Sequence, residues 1–425
     1  MPNRANAWSL RSTLRGSRAA LLGAQLPPGS ARRNWRMIMI IQWVWAGFLG
    51  TSIMSTYYTK EMGLSNVQVY TLQTTWAVVA TLGTTVGGWL ADRYGIRKVM
   101  LWGTGVNFVQ VIYFATCQSF WQFEIALVGT GAQAALLGGT CDTLCTATLR
   151  RTIPETERRE ELFQQYQRVA SRLRSVSIIF ATLCGNYMAT HINMHLPFIV
   201  QGFVTAVPII AVWRVVELRE PAPHLTLNTI RKQLRLLLMD RPDIRWAVAS
   251  YVITGASTIA GFWLIQPRML DAGISPRNFG WIYACQSLCM VFFTWGTKAL
   301  QRASPVVMWG FIAIAAGIGA LVGGLNTGHS GLVALLVGFS LFRACAAACL
   351  AIYLYKRLGE DDITRSIDIS IVDAIQTLAF GAVGLGVGFV ADTASPETAY
   401  LVIGGGCLIL NSVVLFRLWR ATRAF

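Results

Sequence analysis

Charge is what this sequence has least of. Asp, Glu, Lys and Arg together make up 13% of its 425 residues, whereas a soluble domain needs about 25% to cover its surface. With 54% hydrophobic residues and a mean hydropathy of +0.49, the chain is excluded from the water-soluble globular class. Acids are scarcer than bases, 20 against 36, and histidine occurs only 4 times. No G-x-x-x-x-G-K-[ST] loop occurs, which disfavours direct ATP coupling. No His/Asp/Glu cluster at one depth and no nucleophile motif in a suitable context point to a membrane enzyme. Cysteine is present, but Cys184, Cys285, Cys345 and Cys349 sit within apolar runs and none groups with His. They read as small buried hydrophobes rather than disulfides or metal ligands. No cofactor or metal is expected.

What is present is apolar sequence in long blocks, each able to supply the roughly 20 helical residues that cross a bilayer. The expected spans are 36–57, 68–91, 98–117, 120–146, 172–190 and 195–216, then 245–266, 277–298, 303–324, 330–354, 366–390 and 397–418. The fourth and tenth exceed a minimal span, which suggests tilt or protrusion. The architecture is therefore an all-α polytopic membrane protein of twelve helices in two groups of six. Its parts are a basic tail (1–35), a first half (36–216), a central loop (217–243), a second half (244–418) and a short tail (419–425). The acid-free N-terminal tail has the composition of a mitochondrial presequence, but a cytoplasmic anchor for the first helix is the preferred reading. No cleaved secretory signal is expected.

The net charge of +16 does not imply nucleic acid, because the basic residues fall in short gaps between apolar runs. Arg32, Arg33, Arg36, Arg93, Arg97, Lys98, Arg150, Arg151, Arg231, Lys232, Arg241, Lys298, Arg302, Lys356, Arg357 and Arg420 all lie on one side of the expected topology. The opposite loops hold chiefly Lys60, Arg268 and Arg277. By the positive-inside rule, both termini are expected in the cytoplasm. Two six-span groups around one basic connector suit a transporter built of paired halves.

Between the second and third spans the chain reads Gly88-Trp89-Leu90-Ala91-Asp92-Arg93-Tyr94-Gly95-Ile96-Arg97-Lys98. Gly88 permits close approach of a helix. Gly95 permits a sharp turn, and the basic residues can meet acidic groups or lipid phosphate. This segment resembles the signature loop G-x-L-A-D-R-x-G-x-R-K of the major facilitator superfamily, with Ile96 where a basic residue is usual. The twelve-span layout extends the resemblance over most of the chain. It implies a conformational latch formed by Gly88, Asp92, Arg93, Gly95 and Arg97, against the bland alternative of a topology anchor. The second half carries only a remnant, Gly296-Thr297-Lys298, without the acid. Val128-Gly129-Thr130-Gly131 lacks the arginine of many proton-coupled exporters, and Cys184-Gly185-Asn186 lacks the glycine pattern of many drug antiporters. Two further runs, Gly139-Thr140-Cys141-Asp142-Thr143 and Trp263 to Ile274, resemble parts of bacterial carriers and favour a bacterial inner membrane.

Ionisable residues at bilayer depth are costly unless they face the bundle interior. Arg343, mid-way along the tenth span, is expected to meet an anionic solute or to pair with an acid such as Asp373. Glu124, Asp142 and Asp373 are the candidates for proton coupling. Arg172 and Arg174 read as gate or interface anchors. His191 and His195 read as residues of a solvated turn. Gln42, Gln73, Trp76, Tyr251 and Gln266 lie on spans one, two and seven, which line the cavity in the resembled family, and mixed aromatic and amide faces suit an amphipathic solute. Trp and Tyr also gather at membrane interfaces for their own reasons. The expected function is secondary active transport of a small organic or amphipathic solute by alternating access, with proton-coupled export leading. The alternatives are a proton-coupled importer of an organic anion or metal-chelating metabolite, and a non-transporting scaffold or sensor with the same fold. The expected partners are the solute, protons and membrane lipids, with the chain acting as a monomer.

Overall fold

The computed structural model describes residues 26–217, 227–358 and 362–423, and every regular element among them is helical. Most of the expected basic tail and part of the central loop lie outside the described residues. An N-terminal group of helices precedes residue 218. It comprises α1 (Ser30–Ala46), α2 (Met54–Thr56, continued by a π-helical turn over Tyr57–Glu61), α3 (Asn66–Tyr94), α4 (Ile96–Thr116), α5 (Phe120–Leu137), α6 (Thr140–Thr152), α7 (Thr156–His191), α8 (Leu196–Val204) and α9 (Ala206–Trp213). A C-terminal group follows: α10 (Leu227–Arg235, continued by a π-helical turn over Leu236–Asp240), α11 (Pro242–Trp263), α12 (Ile265–Asp271), α13 (Phe279–Arg302), α14 (Pro305–Leu325), α15 (His329–Leu358), α16 (Asp362–Thr393) and α17 (Pro396–Arg423).

By length and apolarity alone, six stretches can cross a membrane: α4, Leu196–Trp213, α14, α15, residues 368–393 of α16, and α17. The pair α11 and α12, bent by 48°, makes a seventh if counted as one span. The other expected spans are also helical, but α3, α5, α7 and α13 intersperse Gln, Thr and charged residues among the apolar ones. The first expected span is interrupted. Residues 47–53 leave the helix, where Gly47 and Gly50 bracket a turn ahead of Thr51 and Ser52. The long fourth span, expected to tilt or protrude, instead breaks at Gly138 and Gly139, the latter at φ +72°. In turn, α7 begins well before its expected span, in a charged stretch where Arg158 and Glu161 pair at 2.8 Å one turn apart.

Local signals explain most boundaries. Ser65 and Gln68 form a capping box at the start of α3. Ser304 accepts from the Val307 N–H and is followed by Pro305, a residue pre-set for a first helical turn. Gly95 ends α3 at φ +95°, a conformation that few other residues adopt, and α4 starts at once.

One apolar core belongs to both groups. It gathers Tyr70 and Ala77 of α3 with Ala260, Ile265, Tyr283, Phe339, Phe380 and Tyr400 of the C-terminal helices. The helices α3 and α16 meet through Gly381, Gly384 and Gly388, where an added Cβ would come within 3.1 Å of Thr74, 2.8 Å of Tyr70 and 2.7 Å of Tyr70 respectively. Small residues at this spacing let two helix backbones approach closely. Gly185 of α7 packs directly on the Leu49 carbonyl in the α1–α2 break, leaving no room for a Cβ. Overpacking of this kind costs about 1–3 kcal/mol. Gly185→Ala should therefore lower the thermal unfolding midpoint of the detergent-solubilised protein by several degrees, whereas Gly406→Ala, facing open space, should leave it unchanged.

Candidate functional site

The two breaks, between α1 and α2 and between α11 and α12, meet each other. A helix interruption at membrane depth exposes N–H and C=O groups that need partners. Here two glutamines supply them. Gln201 of α8 accepts from the Leu49 N–H at 3.0 Å. Gln266 of α12 accepts from the Thr56 N–H at 2.8 Å and donates to the Thr51 carbonyl at 3.1 Å and to the Tyr283 hydroxyl at 3.3 Å. In return, the Ser55 hydroxyl donates to the Trp263 carbonyl at 2.9 Å. The candidate solute residue Gln266, only 3% exposed, is thus a clasp between the groups in this conformation. Other links lie around it: Tyr70 hydroxyl to Ala260 carbonyl at 2.5 Å, Thr74 hydroxyl to Gly381 carbonyl at 3.1 Å, and Asn186 amide to Arg277 carbonyl at 2.8 Å. These hydrogen bonds between the groups lie on the side of the start of α3, the face opposite the two termini.

Below the clasp the C-terminal group presents two accessible charges. Arg343, near the middle of α15, is exposed, and its guanidinium lies 4.7 Å from the centroid of the Phe262 ring of α11. Asp373 of α16 is also exposed and accepts a 3.0 Å hydrogen bond from the Tyr251 hydroxyl, again on α11. Both charges therefore lean on the helix that bears the inter-group joint, and Phe262 packs against the core shared by both groups. Arg343 has no ion pair among the described residues, and Asp373 bonds to a tyrosine rather than to Arg343. Gln73 is buried with its amide nitrogen unpartnered. Trp76 packs against both the shared core and the N-terminal cluster around Tyr57 and Phe123.

A second polar set lies within the N-terminal group. Asp142 occupies the first turn of α6, just after the Gly138–Gly139 break, where the helix dipole favours an anion. It accepts from the buried Tyr166 hydroxyl at 2.7 Å, and Gln42 of α1 donates to that hydroxyl at 3.2 Å. Glu124 stands apart, half-buried near the start of α5. His195 contacts the Tyr57 hydroxyl at 3.1 Å and Glu61 at 4.0 Å.

The signature segment forms the end of α3 and the turn into α4; an added Cβ at Gly88, within α3, meets nothing within 4 Å, so no helix is packed on it in this conformation. The Arg93 guanidinium stacks 5.3 Å from Trp89 and 5.5 Å from Tyr94. Arg97 donates to the Trp213 carbonyl at 2.6 Å, and Gly95 packs on the Glu217 carboxylate. The Asp92 side chain lies outside the described residues. The family model described as Major Facilitator Superfamily matches residues 37–266, more than half of the chain and inclusive of this loop. The chain belongs to the Major Facilitator Superfamily.

Solved structures of this facilitator fold match over nearly the whole chain. A variant of the nucleoside transporter NupG aligns with a TM-score of 0.73 at 11% identity, covering 90% of this chain and 98% of the other. The human organic anion transporter MFSD10 (TETRAN) aligns with 0.64 at 13%, covering 92% and 100%. A variant of the peptide transporter POT aligns with 0.69 at 14%, covering 91% and 94%. At such identities the likeness is one of fold. No curated protein matches the sequence. As a facilitator the chain is a multi-pass membrane transporter of small solutes, not an enzyme, and no group of three metal-ligating side chains occurs among the described residues.

Several residues that organise this facilitator were not singled out from the sequence. Tyr166 and Gln201 are polar groups in apolar helices, the same signal that flagged Gln42. Arg268, placed by the sequence among the basic residues of the opposite loops, is instead fully buried. It donates to the Asn326 carbonyl at 2.7 Å and the Gly323 carbonyl at 3.3 Å, with Glu397 at 3.9 Å. Asp243, 1% exposed at the start of α11, is held between Arg241 at 3.3 Å and Arg357 at 3.5 Å. Removing the acid strands two arginines beside a buried gap. A fully buried pair loses ~3–5 kcal/mol on such a truncation. Because both arginines are about a third exposed, Asp243→Ala should cost less, about 2 kcal/mol. Thermal unfolding in detergent checks this, and Arg357→Ala, which leaves Asp243 its other arginine, should fall between the variant and the parent.

Proposed function

We propose that this facilitator is a twelve-span secondary carrier for a small organic solute bearing an anionic group, working by alternating access and coupled to protons. The observation that carries the reading is Arg343: a guanidinium near the middle of a membrane helix, accessible, and without an ion pair among the described residues. Such a charge is expensive unless it faces a watered cleft or a counter-ion, and a solute carboxylate or phosphate is the counter-ion that would reside there transiently. The Phe262 ring beside it, with Trp76 and Trp263 near the joint, suits an apolar body on the same solute. The structural neighbours are named as nucleoside, organic anion and peptide transporters, which supports an organic solute without choosing within the class.

Asp373 is our first choice for the proton. It sits on the wall that bears Arg343 and is tied to Tyr251, so protonation changes both the charge of the wall and the tether to α11. Asp142, tied to Tyr166, is the second choice, and Glu124 the third. Gln42 and Gln73 complete the polar lining in this reading, and the loop containing Asp92, Arg93 and Arg97 serves as latch at the terminus-bearing face. In this reading that face is cytoplasmic by the positive-inside asymmetry and the hydrogen-bonded face is outside. The runs Gly139 to Thr143 and Trp263 to Ile274, which resemble parts of bacterial carriers, favour a bacterial inner membrane, and a carrier of two halves can work as a monomer. Export is the favoured direction, on the aromatic lining.

The test is proton flux in proteoliposomes with an internal pH-sensitive dye, challenged in turn with amphipathic carboxylates, neutral solutes and cations. Carboxylates alone should trigger flux, and Arg343→Ala should abolish it. Flux triggered by cations and retained in that variant would sink the anion reading. In Asp373→Asn, solute counterflow should survive while solute-driven proton flux is lost. Retention of proton flux in this variant moves the coupling to Asp142.

A further inference from the structure

Asp392, at the end of α16 on the face opposite the termini, was not anticipated as functional. Its carboxylate reaches across from the C-terminal group to the first turn of α3 in the N-terminal group. One oxygen accepts from the Asn66 N–H at 2.9 Å and the Asn66 side-chain amide at 2.8 Å, and the other accepts from the Val67 N–H at 2.8 Å. The first N–H groups of a helix have no partners within it, and the helix dipole favours negative charge there. The local cap of α3 is Ser65, which accepts from the Gln68 N–H. The remaining free donors, on Asn66 and Val67, are filled by a side chain more than three hundred positions away in sequence.

The Gln266 clasp has the same logic at a second point. It too is a polar side chain of the C-terminal group that satisfies main-chain groups of the N-terminal group, the Thr56 N–H and the Thr51 carbonyl. From the Asp392 contact the glycine ladder of α16 continues along α3, from Val67 to Thr74. Parting the groups at this face would leave a carboxylate, two side-chain amides, three N–H groups and a carbonyl to be rehydrated together.

We propose that Asp392 is the charged latch of this face, capping α3 across the two groups and acting in concert with Gln266, so that neither contact opens without the other. Asp392 is a positioning residue: it touches no solute and sets how readily the solute path opens at this face. The proposal rests on alternating access but on no particular solute, and its readout needs none.

The experiment is hydrogen–deuterium exchange of the full-length protein in lipid nanodiscs, fragmented to resolve a few amides. In Asp392→Asn, exchange should quicken about ten-fold, the size of a lost helix cap, at Asn66 and Val67 and equally at Thr56. The Leu49 amide, bonded within the N-terminal group to Gln201, should stay at the parent rate. Reciprocally, Gln266→Ala should release Asn66 and Val67, so the idea remains testable should either variant fold poorly. Asp392→Glu, which keeps the charge, should stay near the parent. Faster exchange confined to residues 65–70 in Asp392→Asn would show a local cap and overturn the latch, as would unchanged exchange at Thr56. Cation-triggered flux retained in the Arg343 variant, with coupling between these amides intact, would sink the anion reading and leave the latch standing.

Discussion

The constraint on which this structure depends is the satisfaction of main-chain polar groups where water is scarce. An unbroken helix meets it within itself. This chain breaks helices at membrane depth and repairs the breaks with side-chain amides. Gln201 serves one side of the α1–α2 break from within the N-terminal group, and Gln266 serves the other from the C-terminal group. The second repair is conditional on the groups being together. A local folding requirement thereby becomes a contact that distinguishes one conformation from another, which is what a carrier needs from its gates.

Charge is distributed by the same economy. Three acids within the helices are committed to hydrogen-bond donors: Asp142 to Tyr166, Asp373 to Tyr251, Asp243 to two arginines. Arg268 is committed to carbonyls at the end of α14. Arg343 stands out against this background, because its neighbour is an aromatic face, which stabilises a cation only modestly. The two arginines are thus treated unequally: Arg268 donates to two carbonyls, whereas Arg343 lies against a ring.

Packing between the groups is uneven along their length. Close approach of α3 and α16 runs from Asn66 to Thr74 on one side and from Gly381 to Asp392 on the other. At the far end of α3, Gly88 faces open space. A glycine there is consistent with a close contact made in another conformation. The signature loop and the Asp392 contact thus mark opposite ends of one helix, each suited to hold one face.

Membrane residence, helical class, the approximate position of each apolar helix and the facilitator loop were legible in the sequence, because each is set by composition or by local spacing: apolar length, basic gaps, glycine and capping residues. The breaks were only half legible. Glycines at 47, 50, 138 and 139 permit them, but whether a glycine bends, breaks or packs a helix depends on what lies beside it. The site was legible as a set of unlikely residues, since Arg343, Asp373, Gln42 and Gln266 each announce a cost that apolar surroundings must offset. Their division of labour was not legible. That Asp373 bonds Tyr251 rather than Arg343, that Gln266 faces a broken backbone, and that Asp392 caps a helix it is remote from in sequence are contacts between distant segments. By itself the sequence determined where polar groups are costly; only the tertiary structure decided which partner relieves each cost, because partnership depends on which helices are brought side by side.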